Sequence, residues 1–279
     1  MKIDSHHHLW NYAGHEADYV WMTDDLSVLQ RDFSLAEFEP LLHLMGYDAA
    51  VAVQAREMVE ETIFLLAAAN TNPLIKAVVG WLDLCAADIE LQLEQYAFDP
   101  KLKGLRMLIH DRADVDFAIS DAHINGISKL AKFGLTYDLL LKPLYMPAAI
   151  KLVDALPNQK FVVDHIAKPD IKNQVFEPWL EDINTISRRP NVYCKLSSVI
   201  TQADWQHWQP TDIVPYLDHV LKAFGPNRIM IGSDWPVSLL AADYSTTMGL
   251  LEGWAARLSS AEQHAFFGGN CAAFYGIEY

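Results

Sequence analysis

The chain has 279 residues, 51% of them hydrophobic and 20% charged, with a formal net charge of −15. That apolar share supports a large core and excludes a disordered chain. The acidic balance repels nucleic-acid phosphates and anionic membranes, so neither is expected as a partner.

The N-terminal MKIDSHHHLW lacks the apolar core of a signal peptide. No stretch reaches membrane-spanning length without interruption. Cys85, Cys194 and Cys271 are widely spaced and form no CxxC pair, which suits reduced thiols in the cytoplasm. Lys2–His8 reads as a first strand, its three histidines native because no linker follows them. Leu9–Phe33 is the longest irregular stretch and carries Trp10, Tyr12, Tyr19 and Trp21; it reads either as a lid or stacking wall or as surface packing. A helix over Ser34–Met45 opens with Ser34 and Glu37 at capping-box spacing.

From there β-branched runs alternate with helical patterns, the signature of βαβ units around a parallel sheet. Further strands are expected at Ala49–Ala55, Ala77–Asp83, Gly104–Ile109, Leu135–Leu140, Phe161–His165, Val192–Ser197 and Ile229–Asp234. Helices are expected at Glu60–Asn70, Ala87–Phe98, Asp121–Phe133, Pro147–Leu156, Phe176–Arg189, Ile213–Phe224 and Thr246–Leu258. Pro147 suits a first helical turn, and Gly46, Gly134 and Gly225 suit helix stops. A last helix, Ser260–Tyr275, closes the bottom or side. Eight strands and no linker predict one α/β domain over residues 1–279, a (β/α)8 TIM barrel with an additional C-terminal helix.

Residues two apart on a strand share a face, so Asp4, His6 and His8 are expected to point together, with His7 outward and structural. His165 ends strand six and Asp234 ends strand eight, which neighbours strand one in a closed barrel. Gly232 would leave space beneath them. Three imidazoles and a carboxylate at one mouth suit metal chelation or acid–base chemistry. His15, His43, His110, His123, His207, His219 and His264 default to the surface, His110 being the one to watch because it shares the parity of Arg106.

IDSHHHLW, KGLRMLIHD, DHIAKPD, NVYCKLSS, IGSDWPV and GGNCAAFYG resemble the amidohydrolase superfamily, and within it the amidohydrolase-related branch of sugar-acid lactonases of the L-fuconolactonase and L-rhamnonolactonase type. The resemblance implies a hydrolase that opens a small sugar-acid lactone, with Asp234 as general base. His6, His8, His165 and Asp234 match its metal-ligand positions. Asp138 stands where metal-rich members have a histidine, and no lysine is placed to bridge two metals, so one divalent ion, zinc for preference, or none is expected. The remaining assignments come from strand position. His8 and His165 join Asp234 as catalytic groups. Lys195 would polarise the carbonyl or protonate the leaving oxygen if its pKa were lowered, or else pair with Asp138 or Asp234, and Asp138 reads as a metal ligand, an acceptor for sugar hydroxyls or a buried ion-pair member. Arg106, Gln54, Asp138, Trp10 and Trp235 are the candidate substrate contacts. Lys168-Pro169-Asp170 reads as a turn. With Arg106 and Lys195 the only prominent cations, the substrate reads as a neutral polyol lactone. A non-oxidative decarboxylase and a non-catalytic sugar-acid-binding barrel are the alternatives, and either a monomer or a homodimer is compatible.

Overall fold

A computed structural model describes residues 1–278. Its strands are β1 (Ile3–His7), β2 (Ala49–Val53), β3 (Ile75–Gly80), β4 (Leu102–Leu108), β5 (Thr136–Leu140), β6 (Phe161–Val163), β7 (Val192–Leu196) and β8 (Ile229–Ile231). All pair in parallel in sequence order. The ring closes through a bridge between His7 and Trp235, with Asp234 N–H donating to the His6 carbonyl at 2.8 Å and His8 N–H to the Trp235 carbonyl at 2.7 Å. The result is a (β/α)8 barrel.

The helices are α1 (Leu35–Leu44), α2 (Val59–Thr71), α3 (Ile89–Tyr96), α4 (Asp121–Leu130), α5 (Met146–Ala155), α6 (Trp179–Ile186), α7 (Pro210–Phe224), α8 (Tyr244–Ala255), α9 (Ser260–His264) and α10 (Asn270–Tyr275). Pro147 lies in the first turn of α5, and Gly46, Gly134 and Gly225 carry positive φ. The Ser34 capping box does not form: Glu37 pairs with Arg31 at 2.9 Å, so Ser34 occupies the N-cap without a side-chain bond. Capping boxes form instead at α7, between Gln209 and Asp212, in a helix that begins three residues earlier than expected, and at α9, between Ser259 and Glu262. The Leu9–Phe33 segment is neither pure lid nor plain packing. Trp10 pairs its backbone with Phe33, tying the segment's ends together, while Trp21 faces the cavity over the barrel.

Two apolar clusters divide the interior. One fills the space between strands and helices. The other is lumenal and joins Ile3, Val51, Val79, Val162 and Met230 to Phe274, Tyr275 and Ile277. The C-terminal helical segment therefore plugs the barrel bottom. A π turn at Ala265–Gly269 separates α9 from α10, and Gly268 lets the Met1 carbonyl approach so closely that a Cβ there would lie 2.3 Å from it.

Period-two reasoning fails once on β1. The β1–β2 register shifts between Asp4 and His7. Asp4 consequently accepts a bond from Tyr244 of α8 at 3.2 Å, on the helix side, while His6 and His8 face the lumen. A bulge of this kind re-aims side chains beside a site. His7 points outward and stacks on Phe38 of α1, ring centroids 4.2 Å apart. Gly232 has a different role from the one expected. A Cβ there would stand 3.0 Å from both His6 Cβ and Ser5 Oγ, so the missing side chain lets β1 and β8 approach rather than opening space. Gly232→Ala is expected to cost about 1–3 kcal/mol by overpacking the seam, measured by chemical denaturation.

His123 is not on the surface. It is fully buried, bonded to the Ala118 carbonyl at 3.0 Å and the Tyr137 hydroxyl at 2.9 Å. Burial lowers its pKa to about 4. An unfolded imidazole protonates near the ordinary value of about 6.5, so the unfolded chain binds the extra proton between that pH and about 4. Stability is thus lost as pH falls through this window. Replacing His123 and Tyr137 together by Phe is expected to reduce the pH slope of unfolding there by about 1.4 kcal/mol per pH unit, read from denaturation midpoints across the window.

Candidate active site

His6 and His8 rise from β1, His165 follows β6, and Asp234 follows β8. Asp234 Oδ1 lies 3.1 Å from His8 Nε2, 3.6 Å from His6 Nε2 and 3.8 Å from His165 Nε2. The Nε2 atoms of His6 and His8 are 3.2 Å apart. The backbone is bent to achieve this: Asp234 has φ of 58°, and His165, Ile166, Ala167 and Lys168 form a continuous run of positive φ. Non-glycine residues adopt this region at a cost and persist in it where the surroundings over-determine them.

Outer contacts fix the rings. His8 Nδ1 faces the Val53 carbonyl at 2.7 Å, and His165 Nδ1 faces Ser197 Oγ at 2.8 Å. A carbonyl only accepts, so the Nδ1 proton of His8 is committed to it and Nε2 turns inward. Burial lowers the His165 pKa to about 3. Burial alone would raise the Asp234 carboxyl, but the surrounding imidazoles, His165 foremost, hold it well below the usual carboxylate range.

Below the imidazoles lies a buried ionic column. Tyr275 Oη donates to Asp138 at 2.7 Å, and Lys195 Nζ bonds Asp138 at 2.5 Å and Asp164 at 3.0 Å while standing 3.2 Å from His6 Nδ1. Arg106 Nη1 bonds Asp164 at 2.9 Å and meets His6 Nε2 at 3.2 Å; its Nη2 bonds the Gln54 carbonyl. Burial would lower the Lys195 pKa, yet Asp138 and Asp164 raise it. The lowered pKa expected of a proton donor is therefore corrected: Lys195 is a completely buried ammonium ion. Removing it strands two carboxylates. Lys195→Met should cost about 3–5 kcal/mol, scored by thermal and denaturant unfolding.

A cavity of about 350 Å³ stands over this floor, lined by His8, Arg106, His165 and Asp234 among others. Asp138 and Lys195 do not reach it, because they lie lower on their strands and pair with each other in the column, and Gln54, just past β2, does not because its side-chain amide is held by Arg106. Trp10 and Trp235 do not reach it either. Trp10 packs against Tyr19 and Phe33, and Trp235 against Phe33 and Phe38. The aromatic walls are Trp21 and Trp205 instead. Sequence reasoning also missed Lys142, Asp111, Thr201 and Gln202 as lining residues, read Lys168 as part of a turn only, and left Asp164 without a role. A lysine within five residues of a strand end was the available signal for Lys142 and Lys168. His110 does line the cavity, its Nε2 paired with Asp111 at 2.8 Å.

His6, His8 and Asp234 form one set of potential metal ligands, and His6, Asp164 and His165 a second that shares His6. The first set fits a divalent cation. Its edges of 3.1–3.6 Å bracket the edge of about 3.4 Å that a tetrahedral site with 2.0–2.1 Å bonds requires. His8 Nε2 and Asp234 Oδ1 are two electron-rich atoms facing each other, so a positive charge, proton or metal, belongs between them.

Residues 3–277 match the model of the amidohydrolase family. An L-fucono-1,5-lactonase from Burkholderia multivorans is 38% identical over 99% of this chain and 96% of its own length. One from Burkholderia ambifaria is 34% identical over 100% and 96%. A crystal structure of a Burkholderia multivorans amidohydrolase with bound zinc is 36% identical and superposes with a TM-score of 0.96 over 100% of both chains. A putative 2-pyrone-4,6-dicarboxylic acid hydrolase from Pseudomonas putida, 20% identical with a TM-score of 0.77 over 100% of this chain and 98% of its own, shares the fold. With the barrel, the strand-end histidines and the strand-eight aspartate in place, these matches identify the chain as a member of the amidohydrolase family.

Proposed function

We propose that this protein is a lactonase that hydrolyses a sugar-acid lactone, with L-fucono-1,5-lactone as the substrate, in the cytoplasm. The observation that carries the reading is an ionised carboxylate, Asp234, set among three imidazoles on the floor of an open cavity. Of the three expectations drawn from the sequence, lactone hydrolysis is the one that the two full-length L-fucono-1,5-lactonase relatives support. The three cysteines are unpaired, as a reducing compartment requires, and no helix among the described residues is long and apolar enough to cross a membrane.

In this reading Asp234 accepts a proton from the attacking water, and its positive-φ backbone aims the carboxylate into the cavity. Arg106 reaches the cavity wall from β4, where its guanidinium stabilises negative charge developing on the lactone carbonyl oxygen. Lys195 and Asp164 hold the His6 ring from below, while the Val53 carbonyl and Ser197 hold His8 and His165. Trp21 and Trp205 face the sugar ring across the cavity. His6, His8 and Asp234 would hold zinc, with His165 beside them. When bound, such an ion supplies Lewis acidity to the carbonyl or the attacking water.

Asp234→Asn is expected to lower kcat by about 10²–10⁴-fold with folding intact, measured by acid release from L-fucono-1,5-lactone in an indicator buffer beside circular dichroism. Wild-type turnover in that variant would remove Asp234 as the base. Metal content gives a second test: the protein dialysed against zinc should retain one equivalent, and His6→Ala and His8→Ala should not.

A further inference from the structure

Beside the mouth runs a second depression of about 690 Å³, lined by the segments that follow β5, β6 and β7. It is continuous with the cavity, sharing Lys142, Lys168, Thr201, Gln202 and Trp205 with it. Its charges are mixed. The two carboxylates on its walls are occupied by their own loops: Asp170 accepts from Asn173 backbone and side chain at 2.9–3.1 Å, and Asp204 from the backbone N–H groups of Gln206 and His207 at 3.0 and 3.2 Å. Lys142 is paired with Asp111 at 2.7 Å. Lys168 is different. It is half-buried where cavity and groove meet, and among the described residues its ammonium has no hydrogen-bonding side chain. Lys172 adds a further exposed cation to the groove. Neutral donors leave the Asp170 and Asp204 charges in place, so the lining is balanced overall, and Lys168 stands out as a cation at the junction of cavity and groove with no hydrogen-bonded carboxylate.

We propose that this groove is a product subsite, in which Lys168 binds the carboxylate of the sugar acid released by ring opening. The inference rests on the lactonase reading. A lactone is neutral; water adds to its carbonyl carbon, the ring C–O bond breaks, the ring oxygen takes up a proton, and the acid ionises at neutral pH to leave an aldonate and one proton. The charge therefore appears only in the product, one step from the cavity floor. Lys168 lines the same cavity as Asp234 and also the groove, so it can receive that charge as the product leaves the cavity. Trp205, anchored by its indole N–H to the Thr201 carbonyl at 2.9 Å, walls both spaces, so a sugar acid can pass from one to the other along one aromatic face.

The test is calorimetric binding of L-fuconate, compared with L-fucitol, its neutral polyol counterpart, to the whole protein. The wild type should prefer the carboxylate by about tenfold, which corresponds to about 1.4 kcal/mol, and added salt should reduce the preference. Lys168→Met should abolish it and Lys168→Arg should retain it. In kinetics, Lys168→Met should raise the ratio of the inhibition constant for L-fuconate to KM for the lactone by the same factor; a merely structural loss would move both constants together. Equal binding of acid and polyol by the wild type, or an undiminished preference in Lys168→Met, overturns the subsite. Should Lys168→Met fail to fold, Lys168→Gln and the salt dependence of the wild type decide the question in the same way. Binding needs no turnover, so the two readings fail separately. A Lys168-dependent preference without lactone hydrolysis sinks the lactonase reading alone, and hydrolysis without the preference sinks the subsite alone.

Discussion

The Lys195 ammonium, lodged between Asp138 and Asp164 with no access to solvent, is the interaction on which the rest of the site depends. Burying such ions is costly, and an apolar layer of equal volume would serve stability as well or better. What the arrangement contributes is position. Lys195 touches His6 from beneath, Arg106 touches the same ring from the β4 side, and Asp164 links the two cations. His6 is thus held by groups from three strands, and His8 and Asp234 are referenced to it. Catalytic constellations hold their geometry when a supporting layer locks their rotamers.

That layer ties the mouth to the far end of the chain. Tyr275 belongs to α10, seals the lumen with Phe274, and reaches up to Asp138 with its hydroxyl. The C-terminal helices are therefore part of the site's foundation, although they lie at the face opposite the cavity. The π turn before α10 and the close passage of Met1 over Gly268 lie where the plug enters the barrel.

The barrel was legible because eight β-branched runs at regular spacing leave few alternatives, and His6, His8, His165 and Asp234 were legible because strand ends are local in sequence. Depth was not. Parity tells which side of the sheet a residue takes but not its height in the lumen, so Lys195 and Asp138 read as mouth residues when they form the floor. The bulge on β1 broke the same parity and sent Asp4 to the helix layer. Lys142 and Lys168 escaped notice because segments after strands follow no period, and the reach of Lys168 depends on positive-φ backbone that residue type does not announce. Trp10 and Trp21 are interchangeable by composition; only the tying of Trp10 to Phe33 decides which of them is committed to packing.

The positive-φ residues at the ends of β6 and β8 also bear on how this protein can change. At each of them a glycine would relieve strain of about 1–2 kcal/mol. In the proposed reading, His165 and Asp234 thus occupy places where relief of backbone strain would remove the group that the chemistry needs. On that reading, robustness compatible with turnover is to be sought in the helical shell, away from the lip of the ring.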